Sequence, residues 1–124
     1  MDISKIYELA PQMRTYNQLG FDWKPFIMNI QSAKFRSKVV NTDNFGLRFN
    51  GQRITNSIFE TKNHFEKKTG TIIGSSSAFG IGSSNDNYTI PSLLSENTDC
   101  NYFNLGSRAY CGFQEIILFN SLIN

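Results

Sequence analysis

The sequence predicts an α/β fold, and three observations lead to that prediction. From residue 71 onward, short apolar runs typical of buried strands alternate with longer stretches of helical spacing. The order is strand, loop, helix, strand, loop, helix, which is the pattern of a parallel β-α-β unit. With 124 residues, 40% of them hydrophobic and 14% aromatic, the chain has enough apolar content for the core of one domain.

The first part of the chain predicts helices followed by an irregular aromatic segment. Between residues 3 and 18, apolar residues recur at helical spacing, and Pro11 in the middle predicts one kinked amphipathic helix or two short ones. Residues 19–30 carry an aromatic cluster around Pro25. Because proline has no amide N–H to donate to a neighbouring strand, this stretch is expected to be irregular or an edge segment.

A hairpin and then a polar stretch are predicted next. Residues 34–40 and 46–49 have the composition of two extended segments, and a turn-forming polar run at 41–44 separates them. Residues 53–68 are polar with scattered apolar positions. We expect this stretch to form a helix or a long loop that leads into a buried strand.

The second half of the chain supplies the α/β unit. Its predicted strands and helices are Thr71–Gly74, Thr89–Asn97, Asn101–Leu105 and a last helix from Gly112 or Phe113 to Ile123, whose apolar stripe is expected to face the core. We therefore expect residues 1–66 to form an N-terminal extension and residues 67–124 to form this unit. Loops at the carboxyl ends of its strands are the natural place for chemistry.

Composition and charge argue against several classes of partner. The 12 Lys and Arg residues against 10 Asp and Glu leave a net charge of +2, without a dense basic patch to capture nucleic acid. Charges scattered through the first residues argue against a signal peptide, and no apolar run approaches the length of a membrane span. We therefore expect a cytoplasmic protein with no nucleic-acid partner and no membrane partner.

Few residues suit metal or redox chemistry. Cys100 and Cys111 are too few for a disulfide scaffold and are expected to be ordinary buried thiols. The single histidine, His64, stands in a charged stretch and is expected to be a solvated surface residue. Because one histidine and two separated cysteines do not make a ligand set, no metal and no cofactor are expected.

A glycine- and serine-rich loop at residues 74–84 follows the first strand of the α/β unit. Small residues past a parallel strand allow a tight turn and leave amide N–H groups free for an anion or an oxyanion. A phosphate-binding P-loop needs a Lys followed by Ser or Thr, and there is none between Gly70 and Ser107. A dinucleotide fingerprint needs a third glycine at Asn85. A serine nucleophile is the use that remains.

Two runs of residues carry a family resemblance. Residues 74–82 read Gly-Ser-Ser-Ser-Ala-Phe-Gly-Ile-Gly, and residues 104–106 read Asn-Leu-Gly. They resemble the first and second conserved blocks of the SGNH/GDSL hydrolases, of which the first is Gly-Asp-Ser, three residues, then Gly. Residues 88–94 look like the helix between these blocks, and residues 44–48 are similar to a segment that precedes the core in one branch of the family. Together the similar segments cover about residues 41–119.

The resemblance implies a fold and a set of site residues. The fold would be part of the flavodoxin-like, three-layer SGNH fold with parallel strands. Ser76 would be the catalytic nucleophile, and the backbone amides of Ser76 and Gly106 would form the oxyanion hole. Ser75 stands where the family has Asp. The family's catalytic Asp and His, and the Asn that completes its oxyanion hole, come later in its sequence pattern and are not matched in this chain.

Two functions are therefore expected as alternatives. The first is the N-terminal part of an SGNH/GDSL-like esterase that acts on an acyl ester, such as the O-acetyl group of a carbohydrate or another small ester, and that is inactive without an acid and base. The second is a non-catalytic α/β binding or interaction protein that pairs through an exposed sheet edge, with the remainder of such a fold or with itself. Arg108 is expected to be a surface arginine or, under the first alternative, a contact to an acidic substrate.

Overall fold

The computed structural model describes residues 3–51 and 68–123, and within them the fold is mixed α/β. The helices are α1 (Ile3–Leu9), α2 (Met13–Gln18), α3 (Ser76–Phe79), α4 (Ile90–Asn97) and α5 (Gly112–Ile123). The strands are β1 (Phe21–Lys24), β2 (Met28–Gln31), β3 (Lys68–Gly74) and β4 (Cys100–Gly106). They form two separate two-stranded sheets, with β1 and β2 antiparallel and β3 and β4 parallel. The α/β class predicted from the sequence is confirmed.

The parallel pair and its two helices lie where the sequence predicts them. Both strands are longer than predicted, because the register extends from Lys68 opposite Cys100 to Gly74 opposite Gly106. Helix α4 begins after Thr89, whose side chain accepts a hydrogen bond from the Ser92 amide and so caps the first turn. Helix α5 covers the whole predicted range.

The lead-in segment forms two short helices. The chain leaves α1 at Leu9 and enters α2 at Met13, with Pro11 in the connection. A proline ring collides with the carbonyl four residues earlier in a continuous helix, so the break falls where the sequence predicts it. Helix α2 buries Tyr16.

The predicted hairpin at residues 34–49 is wrong. In that stretch the described structure has only an isolated bridge between Thr42 and Arg48. The Asp43 carboxylate accepts hydrogen bonds from the amides of Phe45, Gly46 and Leu47, each at 2.8 Å, so a side chain rather than a strand ladder satisfies this backbone.

The hairpin of the described structure lies in the aromatic segment instead. Strands β1 and β2 pair from Phe21 opposite Gln31 to Lys24 opposite Met28. Pro25 occupies the turn between them, where the missing amide N–H costs the sheet no hydrogen bond. The sequence analysis expected an irregular or edge segment because of Pro25. It missed that this proline lies between two segments that pair with each other.

The core combines residues from both predicted parts of the chain. One buried cluster contains Ile27, Ile30, Leu47, Leu105, Tyr110 and Leu118. A second contains Tyr16, Leu19, Val40 and Phe79. The Gln114 amide on α5 also donates to the carbonyl of Ile27 and to the side chain of Asn29, which ties the hairpin to this helix. Within the predicted N-terminal extension, the described residues 3–51 therefore contribute to the same core as the α/β unit, through both clusters.

Candidate functional site

Ser76 lies on a sharp strand-to-helix turn at the carboxyl end of β3. The strand ends at Gly74, Ser75 precedes the helix, and Ser76 is the first residue of α3. A Cβ atom at Gly74 would lie 2.9 Å from the Cβ of Ala78, so a glycine is needed for α3 to fold back on the strand. The Ser76 side chain is half-buried, and its hydroxyl forms no hydrogen bond within the described residues.

Gly106 lies directly beside this turn. It is the register partner of Gly74, at the same end of the parallel pair. A Cβ atom at Gly106 would lie 2.2 Å from the backbone nitrogen of Phe79, so α3 rests against the end of β4 with no room for a side chain. The structure therefore brings the two predicted site residues to the same end of the sheet, which is where ligands bind in open α/β folds.

The amide of Gly106 already has a hydrogen-bond partner. It donates to Oδ1 of Asn104 at 2.9 Å. Asn104 is buried, and its Nδ2 donates to the carbonyl of Phe79 at 3.2 Å. This side chain therefore links the end of β4 to the end of α3. The predicted role of Gly106 as an oxyanion donor requires the amide to leave Asn104.

The first turn of α3 supplies free amides. The hydrogen bonds of the turn begin with Phe79, whose amide donates to the Ser75 carbonyl at 3.0 Å. The amides of Ser76, Ser77 and Ala78 have no acceptor among the described residues. They are donors that a developing negative charge near the Ser76 hydroxyl could use.

A buried arginine holds the other end of α3. The Nη1 atom of Arg48 donates to the carbonyls of Phe79 and Gly80 at 3.1 and 2.8 Å. Its Nε forms an ion pair with Asp86 at 2.8 Å, and its Nη2 donates to the Val39 carbonyl at 3.0 Å. The carboxyl end of a helix carries partial negative charge, so a cation there is favourable. Sequence analysis quoted Arg48 only as part of a family-like segment and missed this role.

Tyr16 on α2 reinforces the same turn. Its hydroxyl lies 3.0 Å from the Gly80 carbonyl and 2.8 Å from the Ser83 carbonyl, and it donates toward both. Burial raises the pKa of Tyr16, and Arg48 beside it opposes that shift. The ring also lies 5.5 Å from the Arg48 guanidinium carbon. Residues from α2 and the 34–50 region thus fix the segment that follows Ser76.

Arg108 is neither a free surface arginine nor positioned as a substrate contact. Its Nε donates to the side chain of Gln31 at 2.6 Å, and its terminal nitrogens donate to the carbonyls of Tyr16, Leu19 and Gly20. Burial lowers its pKa. Sequence analysis missed this because the four acceptors lie 77 to 92 residues away along the chain.

The other residues that the sequence analysis singled out are His64, the two cysteines and the apolar stripe of α5. His64 lies outside the described residues, as do residues 52–67 in general. Cys111 is exposed and Cys100 is half-buried, so the expectation of buried thiols is wrong. Cys111 lies just before α5, and Cys100 is the first residue of β4. On α5, Leu118 is buried in the core as expected, whereas Phe113 and Ile116 are exposed.

Comparison with known proteins leaves the family of the chain open. No protein-family model and no curated protein matches it. In the part of the chain that the structure describes, no helix is long and apolar enough to cross a membrane. The same part holds no group of three His, Cys, Asp or Glu side chains placed to bind a metal ion. The geometry around Ser76 is therefore the main guide to function.

Proposed function

We propose that this chain is the N-terminal part of a cytoplasmic SGNH/GDSL-like serine hydrolase with a partial flavodoxin-like fold. Its substrate would be an acyl ester, with a carbohydrate O-acetyl group as one candidate. The observation that supports this proposal is the position of Ser76, which follows a parallel strand, begins a helix and lies beside Gly106 on the neighbouring strand end. A nucleophile at such a turn is open to substrate and close to backbone donors.

In the proposed mechanism, the Ser76 hydroxyl attacks the ester carbonyl and loses its proton to a general base. The negative charge that develops on the carbonyl oxygen is stabilised by the free amides of the α3 first turn, at Ser76, Ser77 and Ala78. The Gly106 amide joins them only if Asn104 releases it. The alcohol then leaves, and water releases the acyl group from Ser76.

The general base is the part of this mechanism that the described residues do not supply. Serine at its ordinary pKa is a poor nucleophile without a base in hydrogen-bond reach. The Ser76 hydroxyl has no such partner within residues 3–51 and 68–123. We therefore expect the polypeptide alone to hydrolyse p-nitrophenyl acetate no faster than its Ser76→Ala variant. Turnover that Ser76→Ala abolishes would mean that the chain carries its own base.

The nucleophile itself is tested by chemical labelling. The chain is treated with a fluorophosphonate in the presence of imidazole, which supplies the missing base, and the modified serine is located by mass spectrometry. We expect the label on Ser76, and we expect Ser76→Ala to lose it while Ser75→Ala and Ser77→Ala keep it. Equal labelling of the three serines would contradict the proposed nucleophile.

Two observations favour the second candidate function, a non-catalytic α/β binding or interaction protein. The Gly106 amide is engaged by Asn104, so the second predicted oxyanion donor serves the structure instead. Several large apolar side chains on α4 and α5 are also exposed, as a binding surface requires: Ile90, Leu93, Phe113 and Ile116. The coding sequence beyond codon 124 separates the two proposals, since a downstream Asp-x-x-His motif favours the hydrolase.

A further inference from the structure

A cavity of about 330 Å³ lies next to the buried ion pair of Arg48 and Asp86. Its volume falls at the lower end of the range for small-molecule sites, roughly 300–1,000 Å³. Ser76 is not among the residues of its wall. The described residues that line it are Lys38, Asn41, Gly51, Asn85, Asp86 and Asn87.

Among the described residues of the wall, Asp86 supplies the carboxylate, and it is paired with Arg48. Oδ1 of Asp86 accepts from the Nε of Arg48 at 2.8 Å and from the Asn41 amide at 3.3 Å. Its Oδ2 accepts from Nδ2 of Asn41 at 2.6 Å. Because the Arg48 charge compensates that of Asp86, the repulsion between this carboxylate and an anion in the cavity is reduced.

Three other residues of the wall have side-chain donors without a partner among the described residues: Lys38, Asn85 and Asn87. The side-chain Oδ1 of Asn85 accepts from the backbone amide of Asn87 at 2.9 Å, which fixes the orientation of this side chain and leaves its NH₂ group without a partner among the described residues. The Lys38 ammonium group and the Asn87 side chain form no hydrogen bond or ion pair with any described residue. Among the described residues of the wall, Lys38 therefore contributes a positive charge without a counter-charge, and Asn85 and Asn87 contribute amide groups.

Gly51 allows one of these amides to lie close to the backbone. A Cβ atom at Gly51 would be 2.3 Å from Oδ1 of Asn87, and the residue has a φ of +55°. The left-handed backbone favours glycine at this position. The Asn87 side chain therefore lies close to the backbone of Gly51, in space that a larger residue would occupy.

We propose that this cavity binds a small anion that carries hydroxyl groups, of the size of an acidic monosaccharide. The ammonium group of Lys38 would pair with the carboxylate or phosphate of the ligand, and this is the strongest type of polar contact in the wall. The amides of Asn85 and Asn87 can each donate to and accept from hydroxyl groups. The proposal does not depend on the chemistry of Ser76.

The experiment is a titration of the ¹⁵N-labelled chain followed by NMR. Glucuronate and glucose 6-phosphate are the anionic probes, and glucose is the neutral probe of similar shape. We expect saturable shifts at Gly51, Asn85 and Asn87 with an anionic probe and much weaker binding of glucose. Lys38→Gln should weaken anion binding about tenfold, the size of a lost charge-assisted contact. Lys34→Gln is the matched control, because Lys34 is also exposed and does not line the cavity.

Each outcome decides something about the proposal. Saturation with only one anion supports it and identifies the carboxylate or the phosphate as the preferred group. Equal weakening by Lys38→Gln and Lys34→Gln would reduce the effect to general charge and overturn the site, as would absence of saturation up to about 50 mM of either anion. Binding of glucose as tight as that of the anions would also overturn the proposal, because the ligand's charge would then contribute nothing to binding. Ser76→Ala should leave binding unchanged, so failure of the proposed hydrolase would not affect this result.

Discussion

Replacing Arg48 with methionine removes a buried cation while nearly keeping its length. The Arg48 side chain is 0% exposed, and that of Asp86 is 11% exposed. Breaking such a pair from one side costs about 3–5 kcal/mol because the remaining charge is left without compensation. Asp86 keeps two hydrogen-bond donors from Asn41, at 3.3 and 2.6 Å. We therefore take the lower end of this range, about 3 kcal/mol, as the cost of leaving the Asp86 charge unpaired.

The carbonyls that Arg48 contacts add a smaller cost. Phe79 keeps a hydrogen bond from Asn104, and Gly80 keeps one from Tyr16. Val39 loses its donor, at about 1 kcal/mol. We therefore expect Arg48→Met to lower the free energy of unfolding by about 4 kcal/mol, a large part of the roughly 5–15 kcal/mol that holds a typical domain.

Urea unfolding followed by circular dichroism measures this change. Asp86→Asn should also destabilise strongly, because it leaves the buried guanidinium without its counter-charge. The double variant should cost clearly less than the sum of the two single changes, since neutralising both members removes the charge that each single change leaves unpaired. A cost of Arg48→Met below about 1 kcal/mol, or strict additivity in the cycle, would refute the reasoning, because either result is typical of a solvated ion pair.

Three further predictions concern the support of the Ser76 turn and the core. Gly106→Ala should destabilise by about 3 kcal/mol or more, since its Cβ atom would meet the Phe79 nitrogen at 2.2 Å, whereas Gly112→Ala, with nothing within 4 Å, should be neutral or stabilising in thermal unfolding. Tyr16→Phe should cost about 1 kcal/mol at pH 7 by urea unfolding, because the carbonyls of Gly80 and Ser83 lose a donor; no change would mean that water replaces the hydroxyl. Burial raises the pKa of Tyr110 from 10.0 to about 12, with Ser107 opposing the shift. The unfolded phenol therefore ionises first, so stability present below pH 10 should fall by up to about 3 kcal/mol as the pH rises to 12. Tyr110→Phe should reduce that alkaline loss, and an unchanged pH profile would contradict it.

Much of the α/β unit could be predicted from the sequence because its signals are local. The apolar run of β3, the cap at Thr89 and the helical spacing of α5 act within a few residues of one another. The ends of parallel strands meet at one edge of a sheet, so the proximity of Ser76 and Gly106 followed from the same local pattern.

The N-terminal hairpin could not be placed from its local composition. The polar run at 41–44 has the composition of a hairpin turn, and Asp43 indeed forms a turn, but its carboxylate takes the amides that a second strand would have used. The aromatic segment pairs instead because Ile27 and Ile30 bury themselves in the core against residues far along the chain. Propensity is a weak guide where such packing decides.

By itself, the sequence determined the fold class, the boundaries of β3, α4, β4 and α5 to within a few residues, and the place of Ser76 at a strand end. Only the tertiary structure decided how the segment after Ser76 is held, since Arg48 meets Asp86 across 38 residues and Tyr16 meets Gly80 across 64. It also decided that Asn104 takes the Gly106 amide. The physical reason is that a buried polar group must find a partner wherever the fold brings one, and that choice depends on contacts that no local pattern encodes.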